Sequence, residues 1–366
     1  MNEAPVPVPL DELKTILDSD LVETLRSGVL SPAQSGGVVI GLLHGNKRLA
    51  LTYEKGRIDG LYEIGSITKT FIGLLLAQMV EEHRVRLDTP LRELLPGGMA
   101  AKPFSAREIT LLDLSTHYSG LPRLPGNLHP ADLRNPYAGY GAEQLYAFIG
   151  QQGTAMAADV SFAYSNLGTG LLGQVLAGVA GKSYEQLLQE KITGPLGMKE
   201  TFIALPRSLQ EHLVPGYDTK LRPAHEWDMA SLSGAGGIRS TVNDMLTYLE
   251  AQLHPDRLSP SILNSPQGET LPAAIVASQI LYREALPGMH IALNWLYVDN
   301  SGTYWHNGGT GGFSSYACFN HKDDFGLVVL CNMAASAFTD ALGRHIALRF
   351  TGKPTTWIDK VSVATV

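Results

Sequence analysis

The chain has 366 residues, 44% of them hydrophobic and 17% charged, which is enough for one large domain or two closely packed ones with substantial cores. Its net charge of −7 comes without a basic stripe; this disfavours nucleic acid and anionic membrane surfaces and points to a small-molecule or short-peptide substrate. Cys318 and Cys331 both lie inside apolar segments, so they read as free packing residues and neither as a disulfide framework nor as a metal site.

The first 14 residues, MNEAPVPVPLDELK, lack the basic start and apolar core of a secretion signal, and no later segment holds an uninterrupted apolar span of about 18 residues. The expectation is a soluble chain without membrane insertion, cytoplasmic or with an export signal already removed. DELKTILDSDLVETLRSG has apolar positions at helical spacing and a glycine stop at Gly28. GGVVIGLLHGNKRLALTYEKG reads as two β segments joined in a hairpin at His44, Gly45 and Asn46. From Ser66 to Val80 the chain is apolar nearly all the way round, so this helix should be buried on most faces.

Ser66 and Lys69 stand one helical turn apart at the start of that helix, in YEIGSITKTFIG, where residues three apart share a face. The amine is then within reach of the hydroxyl, an arrangement for taking a proton off a nucleophile. The same four residues also fit an N-cap serine followed by a solvated lysine. Burial of the helix counts against a solvated lysine, because an isolated buried ammonium is costly and a lysine with a lowered pKa can serve as a base.

From about residue 83 to 240, and on into TVNDMLTYLEAQL, the chain carries helical patterns such as SAREITLLDLSTH, GAEQLYAFIGQQ and SYEQLLQEKI, separated by proline and glycine loops such as GLPRLPGNLHP. Gly168 to Gly173 match G-x-G-x-x-G inside a helical pattern, so these glycines read as helix packing. Just before them, Tyr164 and Asn166 are two apart in AYSNLGTG, so an extended segment would point both side chains the same way. The sequence then returns to strands in MHIALNWLYV, TYWHNGG, FSSYACFN and FGLVVLCNM, and SAFTDALGRHIALRF reads as a last helix. In WHNGGTGGFSSY the run of glycines before a strand lets backbone N–H groups approach a bound oxygen. No G-x-S-x-G or H-E-x-x-H motif occurs, and the 11 histidines are scattered.

Ser66-x-x-Lys69, then Tyr164-Ser165-Asn166 about a hundred residues later, then His306-Asn307-Gly308 on a late strand together resemble the penicillin-recognising serine hydrolases. That group holds class C β-lactamases, D-alanyl-D-alanine carboxypeptidases, D-aminopeptidases and β-lactamase-fold esterases. EITLLDLSTHYSGLP, GKSYEQLLQEKITGPLGM and FGLVVLCN also look like class C segments, so the resemblance covers most of the chain.

The resemblance implies an α/β (α+β) fold of the β-lactamase/transpeptidase-like kind, an antiparallel sheet flanked by helices plus a mostly helical inserted domain. Residues 1–80 and 241–366 would form the sheet domain and residues 81–240 the helical one, with the active site at their interface. Ser66 would be the nucleophile, with Lys69 and Tyr164 as its base system. The backbone N–H groups of Ser66 and Gly309 would form the oxyanion hole. Asn166, His306, Asn307 and Gly308 would bind substrate, Asn166 by holding Lys69 and the acyl amide. No metal and no organic cofactor is implied. The implied activity is acyl-enzyme cleavage of β-lactam or related amide bonds and of esters. Alternatives are a carboxylesterase with minor β-lactamase activity, a D-aminopeptidase or DD-peptidase, and a non-catalytic penicillin-binding protein. Nothing in the sequence bears on oligomeric state.

Three positions depart from the pattern. An ungapped count from His306 puts Asn307, Ala337 and Asp340 where relatives that bind a substrate carboxylate carry threonine, asparagine and arginine. An aspartate there repels a carboxylate, which favours esters over β-lactams and peptides.

Overall fold

The computed structural model describes residues 7–26, 36–97, 107–154, 160–353 and 355. The strands in chain order are β1 (Gly37–His44), β2 (Lys47–Glu54), β3 (Tyr62–Glu63), β4 (Arg239–Ser240), β5 (Arg283–Leu286), β6 (Met289–Ile291), β7 (Leu296–Val298), β8 (Thr303–Gly309), β9 (Ser314–Asn320) and β10 (Phe325–Cys331). Eight of them form an antiparallel sheet in the order β2-β1-β10-β9-β8-β7-β6-β5, and β3 pairs with β4. The β1–β2 hairpin thus lies against β10, so the sheet is built from both ends of the chain, as the pattern of strands predicts.

Seven longer helices matter here: α1 (Leu10–Arg26), α2 (Thr68–Glu81), α3 (Ala142–Gln152), α4 (Asn166–Ala180), α5 (Val242–Leu253), α6 (Leu271–Ser278) and α7 (Ser336–Phe350). Side chains alternate faces along a strand, and the core divides accordingly. Ile40, Leu42, Cys318, Leu327 and Val329 pack under α1 and α7 with Leu13, Leu17, Leu342 and Ile346. Val39, Leu43, Phe319, Val328 and Leu330 face the other way, against α5 and the helical body. The result is a mixed α/β fold with helices on both faces of the sheet. Among the described residues no helix is long and apolar enough to cross a membrane.

Helix α2 is buried on all sides through Phe71, Ile72, Leu74, Leu75, Leu76 and Met79. Full burial of each such side chain is worth roughly 1.5–3 kcal/mol, so the helix is a rigid base for whatever its first turn carries. The glycines of the G-x-G-x-x-G match lie in α4, where a Cβ on Gly170 would meet Leu232 at 2.6 Å and one on Gly173 would meet Ile72 at 3.2 Å. They are packing glycines. Cys318 and Cys331 are free and buried, as their apolar neighbours predict.

Local differences from the sequence reading have identifiable causes. Among the described residues of SAREITLLDLSTH, 107–117, the helix is the short Leu111–Ser115, capped reciprocally by Thr110 and Asp113. Asp113 is also held by Arg107 and Arg283, and the chain turns away at His117, whose φ is +59°. MHIALNWLYV splits into β6 and β7 because Asn294 takes a left-handed conformation, φ +66°, between them. Helix α6 and strand β5 fall in a stretch whose short elements leave no clear period. The glycine stop expected at Gly28 lies outside the described residues.

Candidate active site

The backbone before Ser66 is fixed from two sides. Ile64 N–H donates to Ile238 O at 3.0 Å, and Ser315 Oγ donates to Ile64 O at 2.8 Å. Buried Glu63 pairs with Arg239 at 3.3 Å and accepts from Trp227 N at 2.8 Å, which pins the same segment to β4 and its neighbours. Residues Gly65–Ile67 then form a single 3₁₀ turn that leads into α2. The Ser66 hydroxyl caps neither helix, so the N-cap reading fails. Ser66 is part-exposed while the residues on either side of it are buried.

Lys69 Nζ donates to Ser66 Oγ at 3.0 Å and to the Ala235 carbonyl at 2.5 Å. The side chain is fully buried, and among the described residues no carboxylate pairs with it. Burial first, and the positive charge of Arg123 second, hold Lys69 well below the usual lysine value. A neutral amine at hydrogen-bond distance from a serine hydroxyl can accept its proton.

Tyr164 reaches the same point from the helical middle of the chain. Ser165 is the N-cap of α4, accepting from Gly168 N at 2.9 Å and donating to Pro122 O at 2.7 Å, which leaves Tyr164 on the extended residue before it. Its ring centroid is 4.8 Å from Lys69 Nζ and 5.1 Å from the Arg123 guanidinium carbon. Burial pushes the phenol above its ordinary value, opposed by hydrogen bonding with Ser66. Asn166 is the first residue of α4, but among the described residues no hydrogen bond joins it to Lys69; the Ala235 carbonyl occupies the amine instead.

The third motif lies on β8 with period-two alternation. His306 pairs in register with Ala317 on the face toward α2, whereas Asn307 pairs with Tyr316 on the face toward α7. The His306 ring is therefore 6.2 Å from that of Tyr164, while Asn307 Nδ2 donates to Asp340 Oδ2 at 2.8 Å. Burial, with Lys69 nearby, lowers His306 to about 3, so it is neutral at physiological pH, with Nδ1–H facing the Asn307 carbonyl at 2.6 Å. Gly65 has φ +51°, and a Cβ on it would sit 2.5 Å from Gly309 N; a Cβ on Gly308 would sit 2.0 Å from Ile64 O. The backbone at Ile64 and Gly65, just before Ser66, thus packs closely on the backbone at Gly308 and Gly309, which only glycine permits. Among the described residues no group of three or more His, Cys, Asp or Glu side chains could hold a metal ion.

The family model described as Beta-lactamase matches residues 28–349. The chain belongs to the Beta-lactamase family. Among similar family members, D-alanyl-D-alanine-carboxypeptidase/endopeptidase AmpH of Escherichia coli K12 is 27% identical over 337 residues, covering 85% of this chain and 83% of that protein. A β-lactamase of Pseudomonas fluorescens is 26% identical over 305 residues, covering 74% and 79%. The crystal structure of a class C β-lactamase from Rhodobacter sphaeroides superposes with a TM-score of 0.69 at 24% identity, covering 86% of this chain and 94% of that one, a likeness in fold. Ser66, Lys69, Tyr164, His306 and the Gly308-Gly309 edge meet at one point of this Beta-lactamase fold.

Three neighbours of these side chains carried no signal of their own in the sequence. The Ala235 carbonyl is a backbone atom and has none. His117 lies in EITLLDLSTHYSGLP, which resembles class C members as a segment without singling out that side chain, and Arg123 follows the segment directly. His117 is buried with its ring centroid 4.5 Å from that of Tyr164, and its Nδ1 accepts from Ser165 N at 3.2 Å. Burial, followed by Lys69, His306 and Arg123, holds it well below the usual histidine value.

Proposed function

We propose that this protein is a serine hydrolase that works through an acyl-enzyme on Ser66. The observation that carries the reading is the 3.0 Å hydrogen bond between Ser66 Oγ and a fully buried Lys69 that has no carboxylate partner among the described residues. Oγ attacks the substrate carbonyl carbon, the C=O electron pair moves onto oxygen, and the serine proton passes to the Lys69–Tyr164 pair. The backbone N–H groups of Ser66 and Gly309 receive the oxyanion, each worth on the order of 3 kcal/mol in such sites. Collapse breaks the bond to the leaving group, which takes the proton, and water then repeats the sequence on the acyl-Ser66 ester. In this reading residues 1–80 with 241–366 and residues 81–240 act as two domains, the former contributing Ser66, Lys69 and His306 and the latter Tyr164.

The substrate class follows from charge. β-Lactam or peptide amides fit the names of the relatives, but the Asn307–Asp340 bond favours esters or other substrates without a carboxylate at that end. One of the two Asn307 Nδ2–H groups, on the face toward α7, is given to Asp340, and the His306 position carries no charge. Intact-mass measurement after treatment with a fluorophosphonate should show one adduct, mapped to Ser66, and Ser66→Ala should abolish both adduct and turnover without lowering Tm. A panel of nitrocefin, a short p-nitrophenyl ester and a D-alanyl p-nitroanilide orders the substrate classes. Labelling elsewhere, or an active alanine variant, would sink the reading.

A further inference from the structure

Arg123 is an exposed arginine that, among the described residues, has no acidic partner. It is nevertheless held in place. Its carbonyl accepts from Asn166 N at 3.0 Å and Leu167 N at 3.2 Å, and the preceding Pro122 carbonyl accepts from Ser165 Oγ at 2.7 Å. The strand of loop bearing Arg123 is thereby bonded to the start of α4, the helix that follows Tyr164, and the guanidinium carbon rests 5.1 Å from the Tyr164 ring centroid. Cation–π contact of this kind is favourable by roughly 0.5–1 kcal/mol at exposed sites, enough to bias the side chain toward the ring.

The groups facing Tyr164 and Lys69 come from every neighbouring element. Lys69 and Ser66 come from α2 and the turn before it, His117 from the turn after Leu111–Ser115, Tyr137 from the loop before α3, and His306 from β8. His117 and His306 are kept neutral by burial, and among the described residues no carboxylate acts on Lys69, His117, Tyr164 or His306. Among the described residues, Arg123 is therefore the cation that faces this cluster.

We propose that Arg123 is a positioning residue for proton transfer: its guanidinium, set against the Tyr164 ring and without an acidic partner among the described residues, keeps the Lys69–Tyr164 pair in its proton-accepting form. This rests on the acyl-enzyme reading above. A fixed cation opposes the protonated amine and favours a phenolate, so it acts in the same direction on both members of the pair. Consistently, the charge of Arg123 lowers both Lys69 and Tyr164. Because the guanidinium is exposed, the effect is screened by salt.

The test is the pH dependence of kcat/KM for a neutral p-nitrophenyl ester, and of Ser66 labelling by a neutral fluorophosphonate, in the parent, Arg123→Gln and Arg123→Lys. Arg123→Gln should move the acidic limb up by about half a pH unit, roughly threefold in rate on that limb, and leave the alkaline plateau in place. Arg123→Lys should keep the parent limb, and salt near ~1 M should move the parent toward the glutamine variant. An unmoved limb in Arg123→Gln, or equal shifts in the glutamine and lysine variants, overturns the proposal. A raised KM confined to carboxylated esters, with the limb unmoved, overturns it in favour of a substrate-anion contact. Absence of labelling in the parent at every pH would strike the acyl-enzyme reading itself and take this inference with it, a result distinct from an unmoved limb.

Discussion

The Asn307 amide donates to the Asp340 carboxylate across 2.8 Å, which ties the third-motif strand to the last helix. The ungapped count along the sequence places Asp340 at this point, and α7 presents it there because Asn307 faces α7 while His306 faces α2. Burial pushes the Asp340 carboxyl up to about 6, against opposing influences from Asn307 and Arg344.

That shift has a sign for stability. A carboxyl raised in the folded state contributes most below its unfolded value of about 3.9, and the contribution is lost as pH rises through 6. Asp340→Asn keeps an acceptor for Asn307 and removes the titration. Relative to the parent, the variant should gain roughly 1–2 kcal/mol between pH 4 and pH 8, the upper figure being reduced by partial exposure. Denaturant midpoints at pH 4, 6 and 8 check this, and a constant difference between the two proteins would count against it.

The same carboxylate bears on substrate choice. A like-charge contact at a part-exposed site costs about 1 kcal/mol, several-fold in kcat/KM. Neutral esters or amides should be turned over better than matched carboxylated ones, and Asp340→Arg should narrow or invert that preference, more at low salt than at high. The quantity to measure is the ratio of kcat/KM for the two substrates on one scaffold at two ionic strengths. An unchanged ratio removes the main argument for an esterase.

Lys69→Ala and Tyr164→Phe each remove one member of the proposed proton-accepting pair. Each should lower the acylation or deacylation rate by at least about 100-fold, the scale of general acid–base groups, with little change in Tm. Stopped-flow acylation and single-turnover deacylation separate the two steps. A variant that loses stability but keeps its rate per folded molecule would mark that residue as packing.

Gly65→Ala tests the contact between the two backbone segments. The added Cβ falls 2.5 Å from Gly309 N, and φ +51° costs an alanine about 1 kcal/mol. The Gly309 edge must shift, so turnover should drop on the order of 100-fold, as when one oxyanion donor is lost, while fluorophosphonate labelling of Ser66 slows and does not vanish. Turnover within twofold of the parent would show that Gly309 N–H is not a donor to the reacting oxygen.

Much of this site is legible before folding because its parts are local. The i, i+3 spacing of Ser66 and Lys69, the all-round apolar surface of α2 and the glycines after His306 are set by neighbours a few residues away, and helical or strand period converts them directly into geometry. The hairpin at Gly45-Asn46 and the packing glycines of α4 belong with them. Short elements are harder to see: β5, β6 and β7 span four, three and three residues, too few for a period to show against the surrounding polar residues.

The sequence by itself determined which chemical groups this protein has and in what order: a serine and a lysine on one buried turn, a tyrosine before a capped helix, and a glycine edge on a late strand. Only the tertiary structure decided what surrounds them. The carbonyl that holds the Lys69 amine belongs to Ala235, 166 residues away, and the partner of Asn307 is 33 residues away on another element. Arg123 reaches Tyr164 because two loop carbonyls bond to the start of α4. Contacts of this kind depend on how separately formed segments dock, and the residue types involved are compatible with many other partners. Burial and charge at Lys69, His306 and Asp340 follow from that docking, which is why their protonation states belong to the fold and not to the local sequence.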